Sequence, residues 1–189
     1  MTEFELFKEV IVGEFTNLNQ VAEEKLDNKL AHPMAKHING ICNHKIYNLP
    51  DDFRGIFVIE ESYYTYLDKN LSTTTPHLFL FEETESRQVK LTSYEIPEYI
   101  NKKAFTNSNK DLFIDFETLK ISDKFSPMIY EYNSDHGFFG KSLSNFGPNT
   151  TFYLEETLSK DKYYVKEILQ RGDRVLIGFD SPIIYNRIS

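Results

Sequence analysis

The stretch IFVIEESYYTY, residues 56–66, decides the fold of this chain. From Ile56 to Ile59 both sets of alternate positions are apolar, and LFLF at 78–81 repeats this pattern. Successive side chains of a strand point to opposite faces, so a period of two is typical of a β-strand. The two runs therefore predict two β-strands.

Short runs of the same kind fill most of the remaining chain. They are separated by Asn, Asp, Gly, Ser and Pro, which are typical of turns. The further runs are QVKLTSYEI (88–96), DLFIDFETL (111–119), PMIYEYN (127–133), FFGKSLSNF (138–146), TTFYLEETL (150–158), KYYVKEIL (162–169), RVLIGF (174–179) and IIYNRI (183–188). About ten short strands favour an antiparallel sandwich or barrel over a βαβ sheet, which would place helices between the strands. The triplet RGD at 171–173 predicts a hairpin turn.

The N-terminal segment has a helical pattern. Thr2 and Glu5 have the spacing of a capping box. Four apolar residues then follow at the spacing of one helical face: Phe4, Phe7, Ile11 and Phe15. A second, more polar helix is predicted in LNQVAEEKLDNKL, residues 18–30, and it ends before Pro33. We therefore expect one domain over 1–189, with a helical segment at 1–30 and a β-barrel at 36–189.

Charge and composition exclude several partners. The 21 Lys and Arg residues against 29 Asp and Glu residues give a net charge of −8, which repels the phosphate backbone of nucleic acid. No apolar run reaches the roughly 18 residues that cross a bilayer, so no membrane association is expected. The single cysteine cannot form an internal disulfide, and the acidic N-terminus lacks the features of a secretory signal. These features predict a cytoplasmic protein.

The segment HINGICNHK, residues 37–45, places His37, His44 and Lys45 near Cys42. A cationic neighbour can lower the pKa of a thiol and make it nucleophilic. A free cysteine on a strand more often packs as a small hydrophobic residue, and we favour that interpretation. The histidines of the chain have neither the spacing of a helical zinc pair nor a cysteine partner, so no metal site is predicted.

The second half of the opening stretch carries polar groups on both faces. Alternation places Glu60, Ser62 and Tyr64 on one face, and Glu61 and Tyr63 on the other. A buried carboxylate beside tyrosine hydroxyls could hold a polar group of a ligand inside a barrel. The alternative is an exposed carboxylate over a structural row of tyrosines. The period alone leaves open which face points inward.

Motifs of the common enzyme classes are absent from the sequence. It contains no GxGxxG, Walker loop, GxSxG or HExxH, so dinucleotide, nucleoside-triphosphate, hydrolase-elbow and zinc-protease chemistry have no support. No catalytic residue can be assigned from the residues alone.

Three segments in order resemble the CpcT/CpeT-type phycobiliprotein chromophore lyase family: GEFTNLNQ (13–20), HPMAKHI (32–38) and FVIEESYY (57–64). In that family a Gly-x-Phe-x-Asn-x-x-Gln segment closes the first helix, and Gly13, Phe15, Asn17 and Gln20 match it. Later segments also follow the family's order; they are FFG, TFYL, RGD and SPIIYNRI.

The resemblance implies a mainly β fold, a lipocalin-like antiparallel barrel of about ten strands with an N-terminal α-helix packed against it. It also implies that a linear tetrapyrrole, a bilin, is bound and joined by a thioether to a cysteine of a phycobiliprotein subunit. Glu60 and Tyr63 match a Glu-Gln-x-Tyr strand of the family, with Glu61 at the Gln position. His77 and Leu78 stand where the family has Tyr-Arg, so a guanidinium that could pair with a bilin propionate is missing.

We therefore expect a barrel that binds a hydrophobic, carboxylate-bearing small molecule, with a bilin or another tetrapyrrole as the candidate ligand. Glu60, Tyr63 and His77 are the predicted ligand-binding residues, and His77 or a nearby cation is the expected acid partner. Lyase activity on an acceptor protein and a homodimer are hypotheses, and no other cofactor is expected. The alternatives are a fatty-acid-type binder and a non-catalytic interaction protein whose barrel is filled by its own aromatic side chains.

Overall fold

Ten antiparallel strands close into a barrel in the computed structural model, which describes residues 2–189. The helices are α1 (Glu3–Ile11) and α2 (Leu18–Leu26). The strands are β1 (Gly13–Thr16), β2 (Met34–Ile41), β3 (Ile46–Tyr47), β4 (Ile56–Tyr66), β5 (Leu71–Glu83), β6 (Val89–Glu95), β7 (Ile114–Asp115), β8 (Lys120–Ile121), β9 (Met128–Asn133), β10 (Gly137–Gly147), β11 (Thr150–Leu158), β12 (Lys162–Arg171), β13 (Arg174–Gly178) and β14 (Ile183–Arg187). From Thr2 to Ser189 no helix is both long and apolar enough to cross a bilayer.

The barrel strands follow the order β11, β10, β9, β6, β5, β4, β2, β1, β14 and β12, and pairing of β11 with β12 closes the ring. All of these pairings are antiparallel. The strand β13 pairs with the second half of β12, beyond the residues that pair with β14. The predicted lipocalin-like barrel with an N-terminal helix is thus confirmed.

The opening stretch forms β4, and both faces of this strand are buried at its start. Ile56 and Val58 belong to the core inside the barrel. Phe57 and Ile59 belong to a second core outside the barrel wall, which the long connection between β6 and β9 covers. Burial on both faces explains why the run is continuously apolar rather than alternating with polar residues.

Helix α1 packs its apolar face into the barrel. Phe7 is fully buried, and its ring centroid lies 5.0 Å from that of Phe81 and 5.1 Å from those of Tyr130 and Phe138. Thr2 begins the helix by accepting a hydrogen bond from the backbone N–H of Glu5, as the capping pattern predicts. We call this part of the barrel the helix end.

The predicted helical stripe is wrong at its last member. The helix α1 ends at Ile11, and Phe15 lies fully buried on β1, which pairs with β2 and β14. The chain leaves the helix at Gly13, which has a φ of +144°. This position favours glycine because of its positive φ and because a Cβ there would lie 2.2 Å from Nη1 of Arg187. The segment 1–30 therefore contains one barrel strand, and the barrel includes β1 and begins again at Met34 rather than at residue 36.

The run DLFIDFETL does not form a barrel strand. Only β7 is extended, and a 3-10 helix at Phe116–Thr118 follows it. Leu112 and Ile114 are buried in the second core, outside the barrel wall. This run is apolar because it covers the wall.

The predicted hairpin at RGD is present, with Arg171 paired to Arg174 and Gly172 at a φ of +55°.

The polar end of GEFTNLNQ joins neighbouring segments of backbone. The side chain of Asn17, which is 0% exposed, donates to the carbonyl of Pro33 at 2.8 Å and accepts from the N–H of Ala35 at 2.7 Å. Gln20 forms a similar pair of bonds with the backbone at the start of β14. These residues hold α2 against the barrel, so this segment has a structural role.

Phe7→Ala should lower the free energy of unfolding by about 3–5 kcal/mol, because it removes a fully buried ring and leaves a cavity. Urea denaturation would measure the change. Phe113→Ala is the matched control, since Phe113 is 65% exposed, and it should cost no more than about 0.5 kcal/mol. Equal losses in the two variants would contradict the packing of α1 into the barrel.

Asn17→Ala should lower the free energy of unfolding by about 2 kcal/mol or more, because two buried backbone groups lose their partner. The control is Asn19→Ala, two residues further on and exposed, for which a change within about 0.5 kcal/mol is expected. Thermal unfolding by circular dichroism would compare them. If both variants unfolded like the wild type, the structural role given to Asn17 would be wrong.

Candidate functional site

A cavity of about 240 Å³ lies inside the barrel at the end opposite α1. Its wall is formed by side chains of β4, β5, β6, β10, β11, β12 and β13 and by Phe125 and Ser126, which precede β9. Larger depressions of about 750 Å³ and 620 Å³ are grooves on the outer surface. Unlike these two grooves, the barrel cavity combines enclosure with buried ionisable groups, so it is the candidate site.

The cavity wall has a polar part and an aromatic part. The polar residues are Glu60, Ser62, Tyr64, Thr75, His77, Ser93, Ser126, Ser142, Glu156 and Glu167, and the apolar residues are Phe79, Leu91, Phe125, Phe146, Phe152, Leu154, Leu169 and Ile177. The half-buried rings of Phe125, Phe146 and Phe152 form a cluster with centroids 5.2–5.6 Å apart. These rings offer flat apolar surfaces to a ligand.

The three glutamates of the wall differ in their hydrogen bonding. Both oxygens of Glu156 accept hydrogen bonds, one from the hydroxyl of Tyr130 and one from that of Tyr163 at 2.5 Å. Glu60 accepts one from the hydroxyl of Ser62 at 3.1 Å. The carboxyl group of Glu167 has no hydrogen-bond partner among residues 2–189. Glu167 is therefore the acid that remains open to a ligand.

Burial raises the pKa of all three carboxyl groups, because a low-polarity interior disfavours their charged form. The pKa of Glu60 is raised well above its usual value, with the nearby Glu156 and Glu167 adding to the effect of burial. For Glu156 burial outweighs the hydrogen bonds from Tyr130 and Tyr163, which act in the opposite direction. The pKa of Glu167 is raised to about 7 by burial and by the charge of Glu156. Glu167 thus changes its charge near neutral pH.

Two histidines near these acids are held neutral. Burial lowers the pKa of His37 to about 3, and the charge of His77 adds to the effect. The Nε2 atom of His37 lies 3.0 Å from the hydroxyl of Tyr185, and its Nδ1 lies 3.6 Å from Oε2 of Glu60 without a hydrogen bond. Burial also lowers the pKa of His77 to about 4. Near neutral pH neither ring carries a positive charge.

The structure brings together two of the three predicted site residues. Glu60 and His77 are paired across β4 and β5 and both line the cavity. Tyr63 does not line it. Its hydroxyl donates to Glu61 on the outer face at 2.5 Å. The prediction for Tyr63 was wrong because it assigned Glu60 and Tyr63 to one site, although alternation along a strand puts them on opposite faces. Tyr64 points into the cavity instead.

Sequence reasoning missed the other two acids of the cavity. Glu156 and Glu167 belong to runs that were identified as strands, and each alternates with apolar residues that point inward. Glu155 stands beside Glu156, so the sequence does not show which of the two faces the interior. A carboxylate on the inward side of a strand is recognisable only when the phase of the strand is known.

No lysine or arginine lines the cavity in the part of the chain that the structure describes. A ligand carboxylate inside it would therefore find no cation, and it would meet three carboxyl groups. The wall gives no support to the expectation that a carboxylate enters the cavity. It also gives none to His77 as a charged acid partner.

Cys42 is a buried, packed thiol. It is fully buried in the second core beside Phe57 and Ile59. Burial raises the pKa of its thiol to about 12, against the smaller opposite effect of Lys45. The interpretation as a packed thiol is confirmed.

Between Thr2 and Ser189, no group of three or more His, Cys, Asp or Glu side chains is placed to hold a metal ion.

Comparison with known proteins gives a full-length structural match. The structure of the T-type phycobiliprotein lyase CpeT from Prochlorococcus phage P-HM1 matches with a TM-score of 0.58, covering 98% of this chain and 97% of that one. The chain has the fold of a CpeT-type lyase. Sequence identity to CpeT is 11%, so the similarity shows the fold alone. No family model and no curated protein matches the sequence.

The raised pKa of Glu167 predicts a pH-dependent stability. Because the folded-state pKa of about 7 exceeds the roughly 4.3 of an unfolded glutamate, this group stabilises the fold at low pH, and that stabilisation is lost progressively as the pH rises from about 4.3 to about 7. Glu167→Gln should therefore gain stability relative to the wild type between pH 5 and pH 7 and keep that gain at pH 8.

Urea denaturation at pH 5, 6, 7 and 8 would measure this difference. The control is Glu155→Gln, which changes a carboxyl group on the outer face of β11 that does not line the cavity. A constant difference for Glu167→Gln across the range would show that this carboxyl group titrates normally.

Proposed function

We propose that this protein is a chromophore-lyase-like barrel that binds a bilin or another tetrapyrrole in the interior cavity, with or without attaching it to an acceptor protein. The observation that carries the proposal is a cavity with aromatic rings and buried acids inside a barrel of the CpeT fold. CpeT itself is a T-type phycobiliprotein lyase.

The aromatic part of the wall suits a conjugated ligand. Phe125, Phe146 and Phe152 can stack on flat rings. The carboxyl groups further inside can accept hydrogen bonds from pyrrole N–H groups, which are the donors of a tetrapyrrole. A cavity of about 240 Å³ is smaller than the usual range of about 300–1,000 Å³. A bilin would therefore extend through the mouth, with its propionates in water.

Attachment would need a thiol from the acceptor, because Cys42 is buried outside the barrel wall. The cavity would hold the ligand in one orientation and keep water from it, which favours a single product. Glu60, whose pKa burial raises well above its usual value, is the candidate acid that would donate a proton to a bilin carbon when a thiolate adds to the neighbouring one. This assigns Glu60 the role of acid in the lyase form of the proposal.

The two alternatives have less support. The core near α1 is filled by its own aromatic side chains, but the opposite end contains the cavity, which a fully filled barrel would lack. A fatty-acid-type binder that buries its carboxylate head group needs a cation for it. The cavity wall provides none among the residues described.

An absorbance titration with biliverdin and phycocyanobilin tests the proposal. A saturable, red-shifted and sharpened long-wavelength band is expected, since an enclosed cavity restricts the conformation of the ligand. Ser142→Trp should weaken binding about tenfold or more, a loss of about 1.4 kcal/mol, because the new ring fills the cavity.

The matched control is Leu143→Trp, one residue further along β10 and 62% exposed on the outside. It should bind like the wild type. If neither bilin changes the spectrum at millimolar protein, or if both tryptophan variants bind equally well, the cavity is not a tetrapyrrole site.

A further inference from the structure

The innermost part of the cavity contains polar groups that lack hydrogen-bond partners. We call it the acid floor and define it by Glu60, Glu156 and Glu167 together with Asn39 beneath them. The carboxyl group of Glu167 has no hydrogen-bond partner within residues 2–189. Asn39 is 3% exposed, and neither its Nδ2 nor its Oδ1 is hydrogen-bonded.

The unpaired amide of Asn39 faces the same interior space. It lines a void of about 10 Å³ together with Glu60 and Glu156, and these two acids also line the cavity. Phe79 and Leu91 are likewise shared by the void and the cavity. The void therefore adjoins the cavity. Buried polar atoms of native proteins are nearly always satisfied, so the amide of Asn39 is a polar group that a water or a polar ligand group at this end of the cavity would satisfy.

No cationic side chain lines the cavity around the acid floor in the described residues. No lysine or arginine lines the cavity in residues 2–189, and the nearby His37 and His77 are neutral near pH 7. An anion brought to this floor would meet carboxyl groups and no cationic side chain. A cation would gain both an opposite charge and hydrogen-bond acceptors.

We propose that the cavity selects ligands by a cationic nitrogen group on a flat apolar body, and that the carboxylate of Glu167 receives this group. The aromatic cluster of Phe125, Phe146 and Phe152 takes the apolar body, and the rest of the acid floor supplies further acceptors. The inference rests on the proposed function because it concerns the same cavity. For a tetrapyrrole, it means that protonated pyrrole nitrogens enter and the propionates stay outside.

The groups that face Glu167 allow a pH dependence to be derived. From the elements around it, the facing ionisable groups are Glu60, Tyr64 and Tyr66 of β4, Glu156 of β11, Tyr185 of β14 and, across the cavity, His77 of β5. Its sequence neighbour Lys166 bonds to the backbone of Asp180 and does not line the cavity. None of the facing groups is cationic near pH 7, and the change in the charge of Glu167 around that pH therefore changes the affinity for a cation.

The experiment uses two probes of nearly identical shape, 2-naphthamidinium and 2-naphthoate. They share one ring system, and their head groups are isosteric but opposite in charge. In isothermal titration at pH 8 the amidinium should bind about tenfold or more tightly than the carboxylate. Its affinity should fall about tenfold from pH 8 to pH 6, because the carboxylate of Glu167, with a pKa of about 7, becomes protonated.

Glu167→Gln should remove most of the preference for the amidinium and its pH dependence. Glu155→Gln, which changes a carboxyl group on the outer face, should retain both. The wild-type comparison stands even if a variant fails to fold. Equal binding of the two probes, tighter binding of naphthoate or no binding of either would overturn the inference.

A second titration separates this inference from the proposed function. Biliverdin and its dimethyl ester differ only in the two propionates, so the ester should bind at least as tightly as the free acid. If the amidinium binds as expected but no bilin does, the tetrapyrrole proposal fails and the charge selection stands. If bilins bind but the free acid is preferred and naphthoate outcompetes the amidinium, the charge selection fails and the tetrapyrrole proposal stands.

Discussion

The pairing of β11 with β12 is the interaction on which the rest of the structure depends. It closes the ring of strands, and its register places Leu154 opposite Glu167 and Glu156 opposite Val165. Without closure these strands would be the two edges of an open sheet. With closure, acids from the last third of the chain come to lie beside Glu60, which is about a hundred residues earlier in the sequence.

Closure also divides the interior into two parts with different chemistry. At the helix end, Phe7 of α1 and aromatic residues of the barrel fill the space. At the opposite end the wall has a polar part and an aromatic part and leaves a cavity. Tyr130 and Tyr163 stand at the boundary and donate hydrogen bonds to Glu156. They allow a carboxyl group to be buried there, and that burial shifts the pKa of its neighbours.

Much of the fold could be predicted because it depends on local patterns. The period of two in β4 and β5 is visible in IFVI and LFLF, and the hairpin at RGD follows from its turn residues. Two predictions were wrong for the same reason. The spacing of apolar residues indicates that their side chains are buried, but it does not show which part of the structure covers them. Phe15 fits a helical stripe and is buried as part of a strand, and DLFIDFETL is apolar because it covers the outside of the barrel. The family resemblance supplied the barrel topology, which patterns alone left open between a barrel and a sandwich.

The candidate site was less predictable, because it depends on the phase of the strands and on contacts between distant residues. Alternation separated Tyr63 from Tyr64 but left open which of them faces inward. Glu156 and Glu167 meet Glu60 only through closure of the barrel. Residues that lie far apart in one sequence carry no sign that they will share a cavity. The acid floor could therefore be recognised only once the structure was known.

The most direct test of the account is a crystal structure of the protein with bound biliverdin. The account predicts bilin density inside the barrel, with pyrrole nitrogens within hydrogen-bond distance of Glu167, rings against Phe152 and propionates at the mouth. Density in the outer groove beside Tyr132 and Phe139 instead, with the interior cavity unchanged, would contradict it.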